Sequence, residues 1–369
     1  MAIAIYTLID GTNYGQRLQN LALQTVLEQI TGSRVETVGY YRPLSGNYQD
    51  TLSLRNRVSY LAYETLTLHY PPARLWRRFW QRTAFYRFNR DRIHMAPRQF
   101  AVGEENIAAP NYWSERYNGF IAGSDQIWNL DIPTVTPLAF LRFAWPGQRY
   151  SYAASVCCAS EALNKNDWAR EGLREMDGLS VREDVGLDTV EQITGRRPVW
   201  DLDPALLLDA DAWNKLLALP AGRRRRPYIL VYQIDSSADP ALEPWARAFA
   251  DARGWQVIHA REIGCGPAGW VQLVRDASLV VADSYHGLIF SLLFRVPFVL
   301  SSSRGESMNT RLSSLLNRLE LPPRHYDCMR DTEILEGVDW QAVHARLAEL
   351  RRESLEHLAN TVARLEGRE

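Results

Sequence analysis

Short apolar runs recur along the chain, each followed by a polar turn and by a segment with helical spacing of apolar residues. The first run extends from Ala2 to Ile9, and a polar turn follows from Asp10 to Gly15. From Gln16 to Ile30 the apolar residues recur on one helix face, and Val35 to Tyr41 is the next apolar run. A continuous apolar run is typical of a strand covered on both faces. The pattern therefore predicts a βαβ unit that opens a parallel sheet.

A second series of the same kind begins after a polar junction at 220–227, which contains four consecutive arginines. A long helix is predicted near the C-terminus, over 343–366. A chain of 369 residues is long enough for about two domains. The predicted fold class is α/β, with two doubly wound Rossmann-like domains at 1–215 and 216–330. The remaining segment, 331–369, is expected to pack back on the first domain.

A basic helical insertion is predicted at about 46–100 in the first domain. From Arg74 to Arg92 it holds seven arginines and one acidic residue, with aromatic residues among them. One interpretation is a solvated arginine face over a packed aromatic face. The other is a contact for an anionic partner, such as a membrane surface, a lipid-linked diphosphate or a polyanionic glycan.

Composition excludes several classes of protein. The formal net charge is −1, so no chain-wide field attracts nucleic acid, and no nucleic-acid partner is expected. Only four cysteines are present, which argues against a disulfide scaffold, and they include no CxxC pair, which argues against a zinc site and a thioredoxin-type redox motif. No basic segment precedes the first apolar run, and charged residues interrupt the apolar region at 278–300. A cytoplasmic protein is expected, and the 11% of aromatic residues are interpreted mainly as core.

Polar residues directly after predicted strands are the candidates for a ligand site, because doubly wound domains bind ligands there. The first cluster runs from Asp10 to Arg17, where a helix N-terminus offers free N–H groups to an anion; a plain tight turn is the alternative. The second runs from Gly123 to Trp128. In it, Asp125 is a candidate general base and Trp128 a candidate ring for stacking on a sugar, while capping of the next turn is the alternative.

Two further clusters follow strands later in the chain. In Ser180 to Asp184, Arg182 is placed to bind a carboxylate or phosphate bidentately, or to pair with a neighbouring carboxylate. In Val280 to Gly287, His286 lies at a predicted helix N-terminus. There it could act as a general acid or base, donate to a phosphate, or be an ordinary core histidine.

These clusters and three more segments, taken in order, resemble the motifs of the polysaccharide pyruvyl transferase family. The matching segments are 13–20, 123–129, 150–155, 180–183, 203–204, 283–287 and 308–311. The resemblance implies a fold similar to the GT-B glycosyltransferases, with two domains that face each other across a cleft. It also implies phosphoenolpyruvate as donor and a sugar diol as acceptor, giving a cyclic pyruvate ketal and phosphate. The acceptor would be a glycan, a lipid-linked sugar or a nucleotide-linked sugar, and neither a metal nor another cofactor is required.

Arg182 and His286 match donor-binding residues of the family, and Ser284 and Gly287 belong to the same turn as His286. Some members have Arg-Leu-His where this chain has Ser284-Tyr285-His286, so one phosphate-binding arginine is missing from that turn. The candidates to replace it are Arg311, Arg17 and Arg304.

The donor's chemistry assigns roles to these residues. His286 would bind phosphate or deliver a proton, Asp125 would accept the proton of the attacking hydroxyl, and Arg182 would hold the carboxylate or phosphate. The residues expected at the acceptor or in the cleft are Asn13, Tyr14, Arg17, Gln126 and Trp128. Two alternatives remain: a GT-B-type glycosyltransferase with a nucleotide-sugar donor, and a binding module without catalysis.

Overall fold

A computed structural model describes residues 2–9, 11–41, 72–157, 160–222, 226–234, 239–301 and 306–367. Residues 46–71 of the predicted insertion, 223–225 of the arginine junction and Arg304 lie outside the described residues. The described residues fall into two compact units. The first unit takes its residues from Met1–Tyr70, Phe85–Leu207 and Glu349–Glu369, and the second from Pro71–Ala84 and Leu208–Ala348.

The strands are short, and those of the two larger sheets are almost entirely buried except for the edge strand Gln256–His259. In chain order they are β1 (Ile3–Tyr6), β2 (Glu36–Val38), β3 (Tyr40–Tyr41), β4 (Phe100–Ala101), β5 (Gly119–Gly123), β6 (Arg149–Tyr152), β7 (Ser180–Val181), β8 (Val199–Trp200), β9 (Tyr228–Tyr232), β10 (Gln256–His259), β11 (Leu279–Ala282) and β12 (Phe298–Leu300).

Helices connect the strands. In chain order they are α1 (Tyr14–Thr31), α2 (Pro72–Arg92), α3 (Tyr112–Arg116), α4 (Ser160–Lys165), α5 (Asp167–Arg174), α6 (Asp184–Thr194), α7 (Ala210–Leu216), α8 (Leu242–Asp251), α9 (Ala260–Ile263), α10 (Pro267–Asp276), α11 (Tyr285–Leu293), α12 (Glu306–Arg318), α13 (Asp331–Glu336) and α14 (Trp340–Leu365). Single 3₁₀ turns occur at Pro137–Phe140, Pro204–Leu206 and Tyr326–Cys328.

The first unit is built on a parallel sheet with the strand order β2-β1-β5-β6. Isolated bridges from Tyr150 to Gly178 and from Ala154 to Val181 continue it toward the short β7–β8 pair. The helices cover an apolar core that includes Phe120, Trp113 and Trp128, each with no exposed surface. Most of the described aromatic residues of this unit are buried, in agreement with the interpretation of the composition.

The second unit repeats the arrangement with the strand order β10-β9-β11-β12, again all parallel. Its β11 strand, with all four residues buried, is followed by the apolar helix α11. The α/β class with parallel sheets and two Rossmann-like units is therefore confirmed. The predicted cleft between the domains stays a prediction. The boundary between the two units lies after Leu207, whereas the sequence predicts it after residue 215.

Two predicted elements are divided in the structure. The apolar run from Val35 to Tyr41 forms β2 and β3, which Gly39 separates; a Cβ on Gly39 would come within 2.7 Å of Ile9 Cδ1. Sequence also predicts a helix at about 164–176, and the structure has the two helices α4 and α5 there instead. The break occurs because the Asn166 side chain accepts a hydrogen bond from Ala169 N at 3.2 Å and so caps a new helix.

The C-terminal part of α14 belongs to the first unit and is held there by polar contacts. Leu202 N donates to Ser354 Oγ at 3.0 Å, and Arg351 Nε donates to Leu206 O at 2.7 Å. The ring of His357 bonds to the buried carboxylate of Asp201, which also accepts from Ser180 Oγ. These contacts hold the helix against the loop that follows β8.

We expect Leu358→Ala to lower the free energy of unfolding of the first unit by about 2–5 kcal/mol, because it removes a fully buried side chain of α14. The matched control is Leu355→Ala on the same helix, where the side chain is only partly buried and the loss should be smaller. Denaturant titrations followed by circular dichroism measure both. Equal losses in the two variants would contradict the docking described here.

Candidate functional site

In both units the polar groups collect where the strand order reverses. The order β2-β1-β5-β6 places this point between β1 and β5, and the order β10-β9-β11-β12 places it between β9 and β11. In open α/β sheets the crevice beyond the carboxyl ends of the strands at such a point is the usual ligand site. Each unit therefore has one candidate position.

A buried polar network occupies this position in the first unit. Gln19 of α1 donates to Thr7 Oγ1 at 2.9 Å and accepts from Ser124 N at 3.0 Å, which joins the ends of β1 and β5. Ser124 Oγ contacts Ala153 O at 2.7 Å and Asp203 Oδ2 at 3.3 Å. The network ends at Arg182, whose Nη1 donates to Asp203 Oδ2 at 2.7 Å.

Arg182 lies at the centre of an ion cluster without solvent contact. Its Nε donates to Glu183 Oε1 at 3.0 Å, and the side chains of Arg182, Glu183 and Asp203 are all 0% exposed. One guanidinium thus faces two carboxylates, and its charge is already balanced. The expected ion pair with a neighbouring carboxylate is present with Glu183, but it is buried, and Asp203 is a further partner. Donor binding by Arg182 stays a prediction.

The segments after β5 and β6 hold strained backbone. Asp125 and Ala153 have φ values of 56° and 47°, in the left-handed region that residues with a Cβ rarely adopt. Their strands are adjacent, and Ser155 N donates to Asp125 O at 3.0 Å. The Ser155 hydroxyl is buried and has no hydrogen-bond partner among the described residues. Strained residues of this kind are concentrated at functional sites, which favours a role for the Asp125 segment.

The turn before α1 is organised by its own side chains. Asn13 accepts from Gln16 N at 3.2 Å as the helix N-cap, and Arg17 Nη2 donates to Ile9 O at 2.7 Å and Gly11 O at 3.2 Å. Arg17 is 2% exposed, and the ring of Tyr14 is buried against Phe85. Of these residues only Asn13 is exposed, so Tyr14 and Arg17 support the turn and do not form its surface.

Trp128 does not have the surface position that stacking on a sugar requires. Its indole is 0% exposed, its Nε1 donates to Ala139 O at 3.2 Å, and it stacks on Phe140. Trp128 is therefore a core residue and not the cleft residue that the sequence predicts, because the chain after β5 turns this side chain inward. The neighbouring Gln126 is partly exposed and accepts from Asn129 Nδ2 at 2.8 Å.

In the second unit, Asp283 joins the ends of β9 and β11. Its Oδ1 accepts from Ile234 N at 2.6 Å, and its side chain is completely buried. Ser284 caps α11 by accepting from Gly287 N at 3.4 Å, and His286 lies in the first turn of that helix, 7% exposed. A Cβ on Gly287 would come within 2.9 Å of Ala282 Cβ, so glycine lets the helix approach its strand closely.

Tyr232 adds a hydroxyl to this cluster at the end of β9. Burial raises the pKa of Tyr232 above its ordinary value, and the Asp283 and Cys265 side chains act in the same direction. Arg261 and a side-chain hydrogen bond with Ser284 act in the opposite direction. Because the net shift is upward, the hydroxyl stays protonated near neutral pH and can donate a hydrogen bond.

The structure therefore groups the predicted residues by unit. Ser284, His286 and Gly287 share one turn in the second unit, and Arg311 is buried in α12 of the same unit. Asn13, Asp125 and Arg182 belong to the first unit, at the ends of different strands. Among the described residues, no group of three or more histidine, cysteine or acidic side chains is arranged to hold a metal ion. No helix in the described part of the chain is both long and apolar enough to span a membrane.

A sequence model described as "Polysaccharide pyruvyl transferase" matches residues 13–303, which includes both clusters except for Thr7. The chain belongs to the polysaccharide pyruvyl transferase family. This family consists of enzymes, so the alternative of a binding module without catalysis is set aside. A comparison with curated proteins gives no significant match.

Solved structures resemble the chain over nearly its whole length at low identity. The glycotransferase of kitacinnamycin is 12% identical, covers 99% of this chain and 98% of its own, and has a TM-score of 0.47. UDP-GlcNAc 2-epimerase from Neisseria meningitidis, bound to UDP-GlcNAc, is 8% identical. It covers 97% of this chain and 94% of its own, with a TM-score of 0.46. The glycosyltransferase SnogD from Streptomyces nogalater is 12% identical, covers 99% of each chain and has a TM-score of 0.38.

Sequence reasoning missed three polar residues of these clusters: Thr7, Gln19 and Tyr232. Thr7 and Tyr232 lie inside apolar runs that were assigned to strands, and Gln19 lies on a helix face counted by its apolar residues. Tyr232 is the last residue of β9, so a search at the last residue of each strand, as well as after it, would have found it.

Arg182→Met should lower the free energy of unfolding of the first unit by about 3–5 kcal/mol, because it leaves two buried carboxylates without their cation. Arg197→Met is the control, since Arg197 also contacts two carboxylates but lies on the surface, and little change is expected. Thermal denaturation measures both. If Arg182→Met is as stable as the control, the ion cluster has been assigned wrongly.

Proposed function

We propose that this member of the family transfers the pyruvyl group of phosphoenolpyruvate to two hydroxyls of a sugar, forming a cyclic ketal and releasing phosphate. The observation that carries the proposal is the family match over residues 13–303. The acceptor would be a sugar of a glycan or of a lipid-linked or nucleotide-linked glycan precursor. The chain would work inside the cell, where phosphoenolpyruvate is made.

The reaction needs a proton at C3 of the donor and a nucleophile at C2. Protonation makes C2 electrophilic, the first sugar hydroxyl adds there, phosphate leaves with the C–O bond electrons, and the second hydroxyl closes the ring. Both hydroxyl protons are released, one of them replacing the proton consumed at C3. A positioned acid or base contributes about 10²–10⁴-fold to such a step.

The cluster in the second unit supports a role in binding the donor phosphate. Ser284 and His286 lie at the N-terminus of α11, where the helix dipole and free N–H groups favour an anion. Tyr232 adds a neutral hydroxyl that can donate. In this proposal His286 binds the phosphate or protonates the donor.

The strained Asp125 segment in the first unit supports its proposed role as the base for the sugar hydroxyl. Its carboxylate is 6% exposed, at the carboxyl end of β5. A carboxylate can take the proton of a hydroxyl that lies within hydrogen-bond reach.

Phosphoenolpyruvate should stabilise the purified protein, by about 2.7 kcal/mol at about 100 times its dissociation constant. Thermal denaturation with phosphoenolpyruvate and, separately, with UDP-, GDP- and CMP-sugars measures this. With a suitable sugar, phosphate release should accompany a product whose mass is that of the sugar plus pyruvate less one water. Stabilisation by a sugar nucleotide alone, with no ketal formed, would reject the proposal in favour of glycosyl transfer.

His286→Gln should lower kcat for phosphate release by about 10²–10⁴-fold if His286 moves the proton, with a smaller effect on stability. His325→Gln, a partly buried histidine of the same unit outside the cluster, is the control and should keep kcat. An unchanged kcat in His286→Gln would remove this residue from the mechanism.

A separate proposal concerns the surface of α2. Trp76 and Trp80, 63% and 45% exposed, form an aromatic cluster with Phe79, with ring centroids 5.6–6.0 Å apart. The segment from Arg74 to Arg92 holds seven arginines and one acidic residue. Exposed tryptophans beside arginines are typical of helices that lie on anionic lipid surfaces, so we propose peripheral contact with such a surface.

The double variant Trp76→Ala, Trp80→Ala should lose most of its binding to vesicles of phosphatidylcholine with phosphatidylglycerol. Binding of the unchanged protein should fall with salt and be weak on phosphatidylcholine alone. Trp145→Ala removes a 40% exposed tryptophan elsewhere and is the control. Lipid contact would be rejected if the unchanged protein, the double variant and the Trp145→Ala control co-sedimented equally. It would also be rejected if the unchanged protein did not co-sediment with the vesicles.

A further inference from the structure

Arg261 lies beside the candidate site of the second unit. Helix α9 begins directly after β10, and β10 pairs with β9 so that His259 is opposite Val231. The carboxyl end of β10 is therefore level with that of β9, where Tyr232 is the last residue. This topology brings Arg261, two residues after β10, to the edge that holds Tyr232 and Ser284.

The charge of Arg261 is available at this edge. Its side chain is exposed, and within the described residues it forms no ion pair with a carboxylate. Its guanidinium acts on the Tyr232 hydroxyl and favours the ionised form, against the larger effect of burial. The buried carboxylate of the cluster, Asp283, accepts from Ile234 N.

Sequence predicts three other arginines as cations for the Ser284-Tyr285-His286 turn, and their roles stay predictions. Arg311 is buried in the second unit, Arg17 belongs to the first unit and is bound to two backbone carbonyls, and Arg304 lies outside the described residues. Arg261 is a cation of the second unit that is both exposed and adjacent to the cluster.

We propose that Arg261 is an anion-binding residue of this site and holds a phosphate group beside Ser284 and His286. The identification of that phosphate as the donor's rests on the proposed function; the anion site itself does not. A guanidinium can donate two parallel hydrogen bonds to a phosphate, so Arg261 would also orient the group.

The test uses the full chain with two probes, phosphoenolpyruvate and inorganic phosphate, in isothermal titrations. Arg261→Gln should weaken binding of both probes by about 10- to 100-fold, as expected for a charge-assisted hydrogen bond. Arg261→Lys should recover part of the loss, since it keeps the charge but not the bidentate geometry. Arg247→Gln removes an exposed arginine of α8 that pairs with Glu243, and is the control.

In turnover, Arg261→Gln should raise KM for phosphoenolpyruvate more than it lowers kcat, a division that simple destabilisation would not produce. Retention of both affinities within about twofold would overturn the assignment of Arg261 while leaving the proposed function intact. Binding of phosphate but not of phosphoenolpyruvate by the unchanged protein, lost in Arg261→Gln, would reject the proposed function and keep the anion site. Binding of neither probe by the unchanged protein would overturn both.

Discussion

Parallel strand pairing is the constraint on which both candidate sites depend. Since every strand of a parallel sheet runs the same way, all loops that follow the strands emerge at one edge. The two central strands then bring together residues that are far apart in sequence. Thr7 and Ser124 meet through Gln19 in the first unit, and Ile234 and Asp283 meet directly in the second. The helices matter for the site mainly through the residues that begin them, such as Asn13 and Ser284.

Burial gives the two arginines of these clusters different properties. Arg182 has no solvent contact and two carboxylate partners, so its charge organises the loops after β7 and β8. A buried pair of this kind adds little net stability but is costly to break. Arg261 is exposed and has no such partners among the described residues. A ligand can therefore use the charge of Arg261 without first separating an ion pair.

The strand and helix pattern was accessible from the sequence because continuous apolar runs and helical spacing act locally. β1 and α1 were both predicted within a few residues of their bounds. Short elements such as α7 and α13 were missed because six or seven residues carry too little periodicity. The orientation of Trp128 could not be predicted either. It depends on how the chain turns after β5, a tertiary property that residue type does not reveal.

The site residues also divide into those that the local sequence identifies and those that only the tertiary fold brings together. Sequence identified the turn with Ser284 and His286 because it directly follows an apolar run. It did not identify Tyr232 or Arg261, whose proximity to that turn follows from the order β10-β9-β11, in which the strand between the other two comes first in the chain.

The strand order β10-β9-β11 also explains how a residue that follows another strand, such as Arg261 after β10, can supply a cation to the Ser284 turn. The replacement only has to follow a strand of the same sheet at the same edge. In the proposed site Tyr232 is protonated and Asp283 accepts from a backbone N–H, so the groups offered to a ligand would be mainly hydrogen-bond donors. Such a set of donors favours an anion over a neutral sugar.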